Sequence, residues 1–337
     1  MATVPTTPVV HLTDLYCPPQ DPDDTLDLLT LHALPELEIR AVVLDPTRRF
    51  LRARRDGGYD IAREPGLVTV LQLQHLTGTA YPVAAGPVDP LRDASDDCRD
   101  RTLGEQAGVE LILRVLRESD RPVVVSVVSS LRPLVAAYNR DPELCRERID
   151  RVLVNAGSAA GEEREWNVAL DPVAYTALWR TALRVDWYPC AGAGGSFARE
   201  EHSTYWSADL RTLVAGLPAP LSAWLHYSFG AGARGDPLRS LHELGEGEAW
   251  RMVSEGTRNM WSTASLVQAA GRTLRRTDDG WRFVPREGDE DGAFGLEAAE
   301  EPQVRRFRRP LALDHDAAMT EALHDLLSRL PVDAPAG

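Results

Sequence analysis

Through Tyr188, short runs of β-branched and aliphatic residues alternate with helix-length amphipathic stretches, and this alternation limits what the chain can become. It is the pattern of a parallel sheet wound with crossover helices, so the fold class expected is α/β. The apolar runs place strands at Val9–Asp14, Glu38–Asp45, Pro82–Ala85, Val123–Val128, Val152–Asn155 and Val185–Tyr188. Between and beyond them, helices are expected over Thr25–Leu34, Gly66–Leu76, Gly104–Glu118, from Leu131, over Pro172–Leu183 and over Asp316–Leu330. Val123-Val124-Val125-Ser126-Val127-Val128 is the most apolar β-branched run and suits a central strand buried on both faces. Val109, Ile112, Leu113 and Leu116 fall on one face of the helix that precedes it.

Beyond Cys190 the character changes. Ala191–Ser196 is a glycine-rich loop, and Ser203–Arg272 reads as mostly helical, so residues 190–272 are expected to form a helical, lid-like insertion over the carboxyl ends of the strands. Arg286–Gln303 is acidic and glycine-rich and reads as a mobile surface loop. The expected whole is a single three-layer domain, 1–337, with a Rossmann-like, mostly parallel sheet.

Composition narrows the function. The 337 residues carry a formal charge of −14, which repels bare anionic polymers, so nucleic acid is not an expected partner. All 37 basic residues are arginine, which removes Schiff-base and phosphate-loop lysines from consideration. Cys17, Cys98, Cys145 and Cys190 are widely spaced and read as free thiols in a reducing cytoplasm, where the protein is expected to reside. No apolar run approaches the roughly 18 residues of a membrane span, so no membrane partner is expected either.

In wound parallel sheets ligands bind outside the carboxyl ends of the strands, which directs attention to Asp14 and Asp45. The chain then runs into Asp21-Pro22-Asp23-Asp24 at the start of a helix. These acids serve either as a helix cap and first-turn complement to the dipole, or, with Asp14, as oxygen ligands of a hard divalent cation. The arginines of Arg48–Arg55, after the second strand, are solvated charge or a phosphate contact.

Thr13-Asp14, Pro22-Asp23-Asp24, Pro35-Glu36-Leu37, Pro82-Val83-Ala84-Ala85-Gly86 and Arg151–Gly157 come in an order that resembles the nucleoside hydrolase family. Glu165-Trp166-Asn167-Val168-Ala169-Leu170-Asp171-Pro172 is the most specific match, and Pro310–Asp314 before the last helix extends the resemblance over essentially the whole chain. The resemblance implies a calcium-dependent hydrolase, magnesium being the alternative ion, that cleaves the N-glycosidic bond of a ribonucleoside or related ribosyl compound and is a homo-oligomer. It implies Asp14 as metal ligand and catalytic base, Asp24 as second metal ligand, Asp23 and Asn167 as ribose contacts and Glu165 near the 5′ end.

Three departures from the family pattern stand out. Leu15–Pro22 separate Asp14 from Asp23, where the family's compact loop holds about three residues. Ser129-Ser130-Leu131-Arg132-Pro133 replaces Gly-Pro-Leu-Thr-Asn, leaving the Arg132 main-chain carbonyl as the candidate metal ligand there. The family's late His-Asp pair falls on Trp261-Ser262-Thr263. Ser262 is then the candidate neutral ligand, Trp261 a candidate stacking surface for a flat ring, and His202 a candidate replacement acid, each also readable as packing or solvated surface. His226 lies on an apolar helix and reads as a core residue. The alternative to the enzyme is a nucleoside- or sugar-binding protein that kept the fold and lost catalysis.

Overall fold

The computed structural model describes residues 6–15, 22–48, 65–160, 164–229, 236–242, 251, 254–288, 292–311 and 313–332. Its centre is set by two valine-rich strands. β1 (Thr7–Thr13) and β4 (Val123–Val128) pair in parallel, Val9 opposite Val124 and Thr13 opposite Val128, and β4 is buried at every position. A strand buried on both faces carries apolar side chains at successive positions, and Val123 to Val128 breaks that only at Ser126.

The other strands are β2 (Leu37–Leu44), β3 (Val83–Ala85), β5 (Ile149–Val154), β6 (Val185–Trp187), β7 (Trp206–Asp209), β8 (Thr257–Met260), β9 (Arg272–Thr277), β10 (Gly280–Pro285), β11 (Gly295–Ala298) and β12 (Val304–Arg308). Among the described residues, eight strands form one sheet in the order β11-β12-β6-β5-β4-β1-β2-β3. All its pairs are parallel except β11 against β12.

The helices are α1 (Pro22–Ala33), α2 (Pro65–Thr77), α3 (Leu103–Glu118), α4 (Arg132–Arg140), α5 (Pro142–Arg148), α6 (Trp166–Leu170), α7 (Pro172–Leu178), α8 (Leu210–Val214), α9 (Ala219–Phe229), α10 (Thr263–Ala269) and α11 (His315–Ser328). Successive residues of a strand point to opposite faces, so the sheet feeds two cores. On one face Val10, Leu12, Val125 and Val127 pack with Ile112 and Leu116 of α3 and Leu134 of α4. On the other, Val9, Val124 and Leu153 share a cluster with Leu26 and Leu29 of α1, Trp224 of α9 and Leu323 of α11. The expected three-layer, mostly parallel α/β architecture is the one observed, and the six strands expected before Cys190 fall within three residues of their observed limits.

The helix expected over Pro172–Leu183 ends at Leu178, and the larger differences lie after Cys190. Within the stretch expected to be mostly helical, β7 and β8 pair antiparallel, Trp206 opposite Met260. Their partners are distant in sequence, so no local periodicity announces them. β9 and β10 form a hairpin that packs on α11. The segment read as a mobile acidic loop contains β11, which closes one edge of the main sheet through its pairing with β12, Leu296 opposite Phe307. Phe294 beside it is buried against Phe307 and supplies the anchor that the acidic composition obscures. No helix among the described residues is long and apolar enough to cross a membrane.

Two histidines sit inside this framework. His11 of β1 is fully buried, its Nδ1 3.2 Å from the Ser126 hydroxyl, and His32 of α1 lies between the Tyr81 hydroxyl (2.8 Å) and the Thr77 hydroxyl (3.2 Å). Burial pushes His11 down to about 4, and burial together with the charge of His11 pushes His32 down to about 3. Both stay neutral in the folded protein where the unfolded chain takes up protons, so stability rises with pH through this window. Unfolding free energy from urea titrations is expected to be flat above pH 7 and to fall as pH drops from about 6.5 towards 4, by about 3 kcal/mol for His11 alone. His11→Leu should reduce that slope whatever it does to stability at pH 8, and an unchanged slope contradicts the assignment.

Candidate functional site at the carboxyl ends of the strands

The strands end side by side, and the polar residues that follow them form one rim. The Asp45 N–H donates to the Thr13 carbonyl (2.8 Å), the Asn155 N–H to the Val127 carbonyl (3.0 Å) and the Tyr188 N–H to the Val154 carbonyl (2.8 Å). Register therefore brings Asp14, Asp45, Ser129, Asn155 and the chain before Cys190 to the same edge of the sheet.

Asp14, Asp23 and Asp24 are each less than 9% exposed. The Thr13 hydroxyl donates to Asp24 Oδ2 at 2.7 Å, tying the end of β1 to the first turn of α1, and the Asp24 N–H donates to Asp23 Oδ1 at 3.0 Å. The long connection has thus returned Asp23 and Asp24 to the rim beside Asp14. Residues 16–21 of that connection, Asp21 among them, lie outside the described residues. One turn further along α1, Asp27 is fully buried and accepts from the Thr263 hydroxyl at 2.9 Å. Sequence reasoning missed Asp27; its place four residues after Asp23, on the same face of a helix, was the available signal.

Asn167 and Glu165 come from the connection after β5. Glu165 caps α6, its Oε1 accepting from the Asn167 N–H (2.9 Å) and its Oε2 from the Gly157 N–H (2.8 Å) and the Val168 N–H (3.3 Å). Asn167 donates from Nδ2 to the Asn155 carbonyl at 2.9 Å. Gly157 has φ +85°, and a Cβ there would strike the Tyr175 hydroxyl, so only glycine lets the backbone pass. Asn155 is fully buried, donates to the Val127 carbonyl at 3.1 Å, and leaves its Oδ1 with no hydrogen-bond partner. That acceptor was present in the quoted sequence motif but carried no assigned role.

The two sides meet at Cys190. Its thiol is pushed well above the usual range, first by burial and then by the negative charges of Glu165, Asp23 and Asp27. Those three carboxylates, from α1 and from the α6 cap, are thus near enough to Cys190 to act on its thiol.

The remaining expected residues separate. Trp261 joins Phe197 and Tyr205 in an aromatic group with ring centroids 5.5–5.8 Å apart, and its indole N–H donates to the Ser196 carbonyl at 2.9 Å. Ser262 is buried at the start of α10, its carbonyl accepting from the Ser265 hydroxyl at 2.7 Å. His202 turns to the sheet edge instead, its Nδ1 3.1 Å from the Phe307 carbonyl and its Nε2 3.7 Å from Glu297. His226 of α9 is half-buried rather than a fully enclosed core residue. Arg48 forms a bidentate pair with Asp89, while 49–55 lie outside the described residues.

Arg132 is fully buried as the first residue of α4, and its side chain serves the rim. Its Nη2 lies 3.0 Å from Asp45 Oδ1, its Nη1 donates to the Val88 carbonyl at 2.8 Å, and the Ser130 N–H donates to Asp45 Oδ2 at 3.1 Å. Burial pushes the Asp45 carboxyl up, and the Arg132 charge, the Ser130 hydroxyl and the Arg132 hydrogen bond oppose it. Removing one member of such a pair strands the other, at a cost of about 3–5 kcal/mol.

No family model matches the chain. A pyrimidine-specific ribonucleoside hydrolase, RihA of Enterobacter sp. (strain 638), is 29% identical over 184 residues, 48% of this chain and 55% of that protein. The chain thus spans about half the length of the curated relative it matches. A plant nucleoside hydrolase, the PpNRh1 enzyme, superimposes with a TM-score of 0.54 at 15% identity over 98% of this chain and 100% of that one. The type III effector protein XopQ, in its complex with adenosine diphosphate ribose, gives 0.55 at 15% identity over 98% and 96%. The fold is that of the nucleoside hydrolases. In sequence the similarity is weak, 29% to the Enterobacter protein and 15% to the plant enzyme.

Arg132→Leu is expected to lower unfolding free energy by about 3–5 kcal/mol, and Arg132→Leu with Asp45→Leu to lower it by less than Arg132→Leu alone. Urea denaturation of the two variants and the wild type measures the difference; simple addition of two losses would show that the pair is not coupled.

Proposed function

We propose that the chain hydrolyses the N-glycosidic bond of a ribonucleoside or a related ribosyl compound, by attack of water on the anomeric carbon. The observation that carries this reading is the buried pairing at the end of β1. Asp24 is fixed by the Thr13 hydroxyl, Asp14 is the next residue, and the fold around them is one in which named ribonucleoside hydrolases occur. The pyrimidine specificity of the Enterobacter relative makes a pyrimidine ribonucleoside the first substrate to try.

Each residue supports a distinct part of the work. Asp14 accepts the proton of the attacking water, the role of a general base. The orphaned Asn155 Oδ1 accepts from a sugar hydroxyl, which removes the cost of leaving a buried acceptor unmet. Asn167 and Asp23 hold the ribose, while Glu165 fixes the backbone that carries Asn167. Trp261, backed by Phe197 and Tyr205, offers an aromatic face to the leaving base. Segment 190–272 supplies that aromatic wall and acts as the cover of the strand ends.

The donors at the rim are all hard oxygens, which fits Ca2+ or Mg2+ in kind. Asp14 and Asp24 would hold the ion, with the Ser262 hydroxyl and the Arg132 carbonyl as neutral partners. When bound, such a cation supplies positive charge that makes a nearby water more acidic. Among the described residues no group of three acidic, histidine or cysteine side chains is placed to hold a metal ion. One observation favours a second reading, a binding protein without turnover: Thr263, in the late segment where the family pattern has an acid, spends its hydroxyl on Asp27.

Free ribose released from a panel of pyrimidine and purine nucleosides, with and without calcium, separates the two readings. Turnover is expected, and Asp14→Asn should lower kcat by about 10²–10⁴-fold and abolish calcium heat in titration calorimetry. Full turnover in Asp14→Asn rejects the mechanism, and nucleoside binding with no ribose from any substrate selects the binder. Trp261→Ala should raise KM by about 3–10-fold, the worth of one aromatic contact, and an unchanged KM for every base removes Trp261 from the substrate surface.

A further inference from the structure

Away from the rim, the corner between β12 and α11 encloses a guanidinium with unpaired donors. Arg309 follows β12 and is 2% exposed. Its main-chain N–H donates to the Glu201 carbonyl at 2.8 Å and its Nε to the Glu200 carbonyl at 3.2 Å, yet Nη1 and Nη2 are both enclosed and without a hydrogen-bond partner. A guanidinium stays protonated at neutral pH even though burial pushes this one down to about 10. Enclosing the donors of such a charged group without partners costs several kcal/mol, a large part of the stability margin of many proteins.

The carboxylates of the corner are committed elsewhere. Asp316 Oδ2 accepts from Arg199 Nε at 3.0 Å, and its Oδ1 reaches neither arginine. Glu200 turns its carboxylate onto the Ala193 N–H (2.8 Å) and the Gly194 N–H (2.7 Å), and Asp314 caps α11 through the Ala317 N–H (3.3 Å). None of these carboxylates is hydrogen-bonded to Nη1 or Nη2 of Arg309. Beside them His315, the first residue of α11, is 5% exposed with neither ring nitrogen hydrogen-bonded. Burial and the Arg309 charge keep it neutral, so it has one N–H to give. The positive end of a fourteen-residue helix completes the surroundings.

We infer that Arg309 and His315 bind one small inorganic anion, of halide or nitrate size, in a closed site between the glycine-rich loop and α11. The enclosure of the Nη atoms selects size: a carboxylate or phosphate carried on a larger molecule has no way to extend to solvent. The site braces the loop that carries Ser196 and Phe197, because Glu200 and Glu201 tie that loop to Arg309 through their carbonyls.

Thermal unfolding of the full chain in sodium chloride, compared with sodium gluconate at equal ionic strength, reads the site. A saturable rise of about 2–4 °C in Tm, specific to chloride, is expected at ten times the dissociation constant. Crystals soaked in sodium bromide should give an anomalous peak between the Arg309 Nη atoms and His315. Arg309→Met should remove the chloride-specific part of the shift. Equal curves in the two salts, a soaked crystal with water alone at that position, or a full chloride response in Arg309→Met would each overturn the inference. If Arg309→Met does not fold, the bromide peak and the salt comparison on the wild type decide alone.

Discussion

A carboxylate taken out of water must be given donors or positive charge, and the parallel sheet forces several of them into that position at once. Because β1, β2, β4 and β5 end in register, whatever follows each strand is enclosed by whatever follows its neighbour. Asp45 meets this constraint with Arg132 and Ser130, and the rest of the rim can be acidic because that pair is closed. Asp24 meets it with Thr13, Asp27 with Thr263, and Glu165 with three backbone N–H groups. The polar interior of the rim thus consists largely of carboxylates tied by protein donors, beside the Asn155 oxygen, which has no hydrogen-bond partner.

Much of the fold was legible because its strands are local events. Val123 to Val128 identifies a doubly buried strand by composition alone, and the capping of α3 by Thr102 and Glu105 is written in four consecutive residues. The parts that escaped depend on partners far along the chain. Trp206 and Met260 form a strand pair only because each finds the other, and β11 exists because Phe307 and Phe294 are buried together. In the site, the acids were legible from their position after β1, whereas the use of Asp27 required knowing that α10 packs on α1. Arg132 shows the converse case: the residue was singled out for its carbonyl, and its side chain turned out to have the more definite task.

The altered late segment also becomes intelligible in physical terms. An acid in place of Thr263 would face Asp27 across a hydrogen-bond distance, and two buried anions so close repel unless a proton or a cation intervenes. A hydroxyl instead donates to Asp27 and needs neither. Thr263 thus satisfies Asp27 with a neutral donor.

Asp23, Asp24 and Asp27 all ride on the first two turns of α1, so these acids belong to one stiff body. A nudge to that cylinder shifts three negative oxygen sets in concert. Evolution or engineering could therefore retune all three from the hydrophobic seat beneath a single helix.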